Sequence, residues 1–124
     1  MSIKVIDSHT EGEPTRVIVE GAPDLGGGSL FRQAELLTSE FDHVRTAVVL
    51  EPRGSEVLVA AFLRPPETKS SDAGVIFVNN AGVLGMCVHG MIGVVRTLQH
   101  LGRASSTPGE TIRLDTPVGQ VTAT

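Results

Sequence analysis

Cys87 is the residue best placed to do chemistry, in the run Asn79-Asn80-Ala81-Gly82-Val83-Leu84-Gly85-Met86-Cys87-Val88-His89-Gly90. A strand-like segment precedes this run and a helix-like one follows it, so Cys87 falls at a predicted helix start. The first turn of a helix carries unpaired backbone N–H groups and the positive end of the helix dipole. Those donors attract an anion such as a carboxylate, and the same field favours the thiolate form of a cysteine. Gly82, Gly85 and Gly90 allow the backbone to approach a ligand closely. His89 can hydrogen-bond a ligand or set the protonation of its neighbour. The chemistry that suits this set is proton abstraction next to a carboxylate: the helix start holds the carboxylate while a thiolate removes the α-hydrogen. Inversion then requires a second acid on the opposite face, and Cys87 is the single cysteine of the chain.

Other readings of these residues stay open. A lone cysteine beside Met86 and Val88 is a common core residue. Cys87 and His89 could ligate a metal, but two ligands without a nearby third argue against zinc. A Cys/His nucleophile pair for acyl transfer meets the difficulty that side chains at i and i+2 of a helix point apart. A thiol redox role lacks a resolving cysteine. Near the N-terminus, in His9-Thr10-Glu11-Gly12-Glu13-Pro14-Thr15-Arg16, Glu13 or Arg16 could line or brace a cleft; the plainer reading is a rigid turn between strands. Glu51-Pro52-Arg53-Gly54 reads as a turn with Arg53 pairing structurally, and His43 and His100 as solvated helix residues.

The elements that must position Cys87 follow from pattern. Residues 3–7 and 15–20 are short β-branched runs joined by a polar loop. Leu30, Ala34, Leu37 and Phe41 recur at helical spacing and predict a surface helix over 29–43, with Ser29 as N-cap. Thr46–Leu50, Glu56–Phe62 and Gly74–Asn79 read as strands, the first two joined as a hairpin. Arg64–Asp72 reads as an exposed loop. Residues 86–101 read as a helix with an apolar face of Val88, Met91, Ile92, Val95 and Leu98, widened by Met86, Val94 and Leu101, so apolar that burial on most sides is expected. Gly102 is its stop. Ile112–Leu114 and Gln120–Thr122 read as further strands. The expectation is an α+β domain, a curled sheet wrapped around the second helix.

Composition narrows the function classes. The chain has 124 residues, 40% hydrophobic and 19% charged, which suits one globular domain. A formal net charge of −4 argues against nucleic acid or an anionic membrane as partner, and 3% aromatic residues argue against a base-stacking surface. No apolar run reaches the roughly 20 residues of a membrane span. One cysteine excludes an intrachain disulfide and fits a reducing compartment, so a cytoplasmic location is expected. The strand pattern runs on to Thr124, which suggests a fragment.

Asp7–Arg16, Glu51–Gly54, Gly85–Gly90 and Asp115-Thr116-Pro117-Val118-Gly119, in this order, resemble the proline racemase family and within it the 4-hydroxyproline 2-epimerase branch. The resemblance covers essentially the whole chain. It implies an enzyme of two halves, each a barrel-like mixed sheet curled around a central buried helix as in diaminopimelate epimerase, with one cysteine per half and no pyridoxal, other cofactor or metal. Residues 1–124 would then be a single domain corresponding to the N-terminal half, with the C-terminal half and its cysteine absent. The resemblance implies that Cys87 is a catalytic acid/base and that the Val88 backbone and the His89 side chain bind substrate, 4-hydroxyproline or proline. The partner would be the missing half or a second copy of the chain. Two positions depart from the branch: Val88 stands where glycine is usual, and Val83 where an aromatic is common.

Overall fold

The structure is a computed structural model that describes residues 3–10, 13–26, 28–50, 58–84, 87–103 and 111–123. In chain order the elements are β1 (Lys4–Thr10), β2 (Glu13–Glu20), α1 (Leu30–Glu40), α2 (Asp42–Val49), β3 (Val59–Arg64), β4 (Ala73–Val78), β5 (Val83–Leu84), α3 (Val88–His100), β6 (Ile112–Thr116) and β7 (Gly119–Ala123). The strands form one mixed, open seven-stranded sheet in the order β1-β2-β3-β4-β6-β7, with β5 paired to β4 beside that path. The β2–β3 and β4–β6 pairs are parallel, and the others antiparallel.

β3 and β4 are central strands covered on both faces, which explains their almost unbroken apolar sequences. Successive side chains of a strand point to opposite faces, so each strand feeds two cores. Ala60, Phe62, Ile76 and Val78 join Ile18 beneath α1 and α2. Val59, Ala61, Leu63, Val75 and Phe77 join Val17, Leu114 and the buried face of α3. α3 lies against β1, β2 and β3.

Several expectations hold. The Ser29 hydroxyl accepts the Arg32 amide and caps α1. Gly102 takes a left-handed φ of 73° and ends α3, where the Arg103 amide reaches back to the Leu98 carbonyl at 2.8 Å. The strand expected over Thr46–Leu50 is instead α2, and the predicted helix breaks at Phe41 into α1 and α2. The reason is burial: Val44 and Val48 lie one helical turn apart and both enter the core, a period that outweighs the strand preference of Val48-Val49. No hairpin therefore joins 46–50 to β3, which pairs in parallel with β2. Glu51–Gly54 lies outside the described residues.

α3 is also less enclosed than expected. Its buried face is Gly90, Met91, Gly93, Val94, Thr97 and Leu98, while Ile92 remains 45% exposed. Half of this face is Gly90, Gly93 and Thr97, which carry little hydropathy, so apolar periodicity misplaced its centre towards Ile92. The sheet lies along one side of the helix.

Arg64–Asp72 is mostly exposed, as expected, but it is also tied down. Arg64 ends β3, and the segment after it is stitched to β6 through Asp115, which is 2% exposed. The Asp115 carboxylate accepts the Glu67 and Thr68 amides at 2.7 and 2.8 Å and the Ser71 hydroxyl at 2.7 Å. Burial pushes its pKa up, but these bonds and the Thr68 hydroxyl outweigh burial and hold the carboxyl below its ordinary value. A carboxylate with a depressed folded-state pKa stabilises the fold above its unfolded pKa, and that stabilisation is lost as pH falls through the folded value. Urea melts taken from neutral to acid pH should therefore show stability falling below about pH 4. Asp115→Asn should cost about 1–3 kcal/mol at neutral pH and flatten that fall, because an amide nitrogen would face donors already present. An unchanged pH profile in Asp115→Asn would show that another group dominates.

Candidate functional site

The path to Cys87 starts at the end of β4. The Asn79 side-chain oxygen accepts the amides of Ala81 and Gly82 at 2.9 and 3.2 Å, and the Asn79 amide donates to the Gly82 carbonyl at 2.9 Å. Gly82 closes this turn with φ 147°, a value that L side chains rarely adopt. The chain then runs back as β5, with Leu84 opposite Phe77 and Val83 opposite Val78. Cys87 follows as the N-cap of α3 in extended backbone, φ −143° and ψ 119°.

The Cys87 carbonyl accepts the first intrahelical bond, from the Met91 amide at 2.8 Å. The amides of 88–90 lie ahead of any intrahelical acceptor, and Cys87 makes no side-chain capping bond to them. A half-buried thiol thus stands at the positive end of a 13-residue helix, whose first turn holds no acidic residue. Val88 and His89 are the first two residues of α3; their side chains, like those of His9 and Glu13, lie outside what is described. Among the described residues no cluster of three or more His, Cys, Asp or Glu gathers to hold a metal.

Two glycines fix α3 on the sheet. A Cβ on Gly90 would stand 2.7 Å from Cε1 of Phe77, and one on Gly93 would stand 2.8 Å from both Cβ and Cγ2 of Thr15. Neither contact leaves room for a methyl group. Gly90 was read from the sequence as a route for ligand approach; the structure adds that it lets Phe77 under the first turn.

Arg16 does not line a cleft with an open guanidinium. It forks onto Asp7 at 2.8 and 3.0 Å and donates to the Val48 carbonyl at 2.9 Å, tying the β1–β2 hairpin to α2. Hydrogen bonding to Asp7 raises its pKa beyond its ordinary value. Sequence reasoning missed Arg45, a buried cation on α2. It forks onto Asp42 at 2.6 and 3.0 Å and donates from Nη1 to the Asn79 carbonyl at 2.8 Å. The Asp42 carboxyl is held below its usual range chiefly by that bond. The spacing of Asp42 and Arg45, three apart, was the available signal.

The sequence profile of the proline racemase family matches residues 5–124. The chain belongs to this family. It is 57% identical over 122 residues to a 4-hydroxyproline 2-epimerase of Burkholderia cenocepacia, a match covering 98% of this chain and 38% of that protein. The fold superimposes with a TM-score of 0.88 on a hydroxyproline epimerase from Agrobacterium vitis solved with bound trans-4-OH-L-proline, at 25% identity, over 97% of this chain and 36% of the other. A probable proline racemase from Agrobacterium radiobacter with bound carbonate gives 0.89 at 27% identity, over 98% and 36%. The chain thus spans little more than a third of the relatives it matches.

Replacing a helical glycine by alanine ordinarily stabilises by up to about 1 kcal/mol through propensity. Here the sign should reverse: Gly90→Ala and Gly93→Ala should each cost about 1–3 kcal/mol through overpacking. Chemical denaturation would measure this, and a gain in stability at either position would refute the close contact.

Proposed function

We propose that this chain is one half of a cofactor-independent epimerase that inverts the α-carbon of 4-hydroxyproline or proline. In this reading Cys87 is one of two general acid/bases, and the Val88 amide and His89 side chain hold the substrate. The observation that carries it is a thiol at the N-cap of α3, beside first-turn amides that can receive a carboxylate. Family membership and the bound trans-4-OH-L-proline of a relative support the substrate class. The architecture belongs to the proposal too: residues 1–124 form the N-terminal domain of a two-domain enzyme, its sheet one barrel-like half of the diaminopimelate epimerase type. So does a cytoplasmic location, which the lone cysteine supports. Among the described residues no helix is long and apolar enough to cross a membrane.

The proton balance follows from the thiol count. The Cys87 thiolate takes the α-proton; the electron pair left on carbon spreads into the carboxylate, whose growing charge faces the α3 amides. In the full reaction a second thiol delivers a proton to the opposite face. The two thiols exchange roles when the reaction runs backward. With Cys87 alone, the proton returns to the face it left, after exchange with solvent.

The isolated chain in deuterated water should therefore exchange the α-hydrogen of 4-hydroxyproline with retention of configuration. Proton NMR would follow the exchange, and Cys87→Ser should abolish it. Inversion that grows with protein concentration would point to a second copy supplying the second thiol. A second reading rests on Ile92, 45% exposed on α3 where a further domain would cover it: the chain folds, and binds ligand, without turnover. Absence of exchange from demonstrably folded protein would select that reading.

A further inference from the structure

We propose that Arg45 is a positioning residue for Cys87, acting through the Asn79–Gly82 turn; this rests on the reading of Cys87 as an acid/base. The bonds that Arg45 makes are few and specific. Its guanidinium has one edge committed to Asp42 on its own helix, which fixes the plane of the fork. The remaining nitrogen, Nη1, reaches 34 residues along the chain to the Asn79 carbonyl at 2.8 Å. That carbonyl belongs to the residue on which the whole turn hangs, because the Asn79 side chain holds the Ala81 and Gly82 amides and its own amide holds the Gly82 carbonyl. Fixing Asn79 fixes the turn.

The turn sets the course of β5, which has only two residues and pairs with the end of β4. A two-residue strand has little pairing of its own to hold register, so its direction depends on the turn that feeds it. Cys87 comes three residues after Leu84. The far side of Cys87 is already fixed, since Gly90 rests on Phe77, the residue that Leu84 opposes in β4. Cys87 thus has a packing contact on its helix side, at Gly90, and on its strand side the polar tether reaches β5, which ends three residues before it. Arg45 is the origin of that tether. The Arg45 side chain is 10% exposed, so water does not readily replace it at the Asn79 carbonyl.

A lysine at this position can reach one acceptor but cannot fork onto Asp42 and bond Asn79 together, because its ammonium is a point donor. Asn79→Ala cuts the same path from the other end, removing the bonds to Ala81 and Gly82 while leaving the carbonyl for Arg45. Two readouts separate positioning from bracing of α2. One is the backbone amide NMR signals of Ala81–Leu84 and Cys87–Gly90. The other is the rate at which iodoacetamide alkylates Cys87. In Arg45→Met both sets of signals should move, and the alkylation rate should change about threefold to fivefold as the thiol loses its fixed place at the start of α3. Arg45→Lys should recover part of both, and Asn79→Ala should reproduce both. Changes confined to α2, with Cys87 signals and alkylation as in the parent chain, would overturn the proposal. If Arg45→Met does not fold, Asn79→Ala decides by the same criteria. Neither readout involves substrate. Arg45-dependent alkylation in a chain that shows no α-hydrogen exchange would uphold positioning while refuting the catalytic reading.

Discussion

The distance between α3 and the sheet is the constraint on which the other features depend, and two glycines set it. At Gly93 the helix backbone meets the Thr15 side chain on β2, and at Gly90 it meets the Phe77 ring on β4. These contacts lie one helical turn apart and on strands two places apart in the sheet, so together they fix both the height and the direction of α3. Direction matters because the dipole field and the first-turn amides point along the axis. A helix free to rock on bulkier side chains would sweep those amides away from any ligand held by the rest of the site. The two glycines that helix propensity alone would replace with alanine are here the source of aim.

Beyond that contact, two cations tie α2 into the rest of the fold. Arg16 binds the hairpin to α2, and Arg45 binds α2 to the turn before β5. Each places two nitrogens on a carboxylate and a third on a backbone carbonyl in another element. Burying a guanidinium demands that its donors be met, and in each case these bonds meet at least three of the five. The fork would add little if it were only an exposed ion pair. Its use is to orient the third bond. Asp115 works with opposite charge at the far side of the sheet, gathering the amides of 67 and 68 onto β6.

Legibility in the sequence followed the same physics. The helix start at Cys87, the Ser29 cap, the Gly102 stop and the strand runs of β3 and β4 were visible because each depends on neighbours within a few residues. α2 was misread as a strand because Ala47-Val48-Val49 satisfies local strand preference; only its burial through Val44 and Val48 makes it helical. The buried face of α3 was misplaced because Gly90, Gly93 and Thr97 carry little hydropathy, yet all three are buried. The Asp42–Arg45 spacing was visible, but the role of Arg45 was not, because it lies in a carbonyl 34 residues away. Asp115 was noticed as part of a motif, but its partners sit on a loop read only as exposed. Local chemistry could be read, and long-range partnership could not.

One thiol, one helix start and one exposed Ile92 fit together as parts of a symmetric problem. Inverting a tetrahedral carbon requires an acid and a base on opposite faces, and a single helix N-terminus can present a thiol to only one of them. A fold that aims one helix rigidly is economical if the other face is served by a similar unit, because each half then needs only its own alignment. In such an arrangement rigidity within a half sets where the proton is taken, and contact between halves sets whether it returns to the same face. The ties from Arg16 and Arg45 and the contacts at Gly90 and Gly93 all lie within this chain. They therefore bear on the first of those questions, and the stereochemical outcome belongs to whatever stands opposite Cys87.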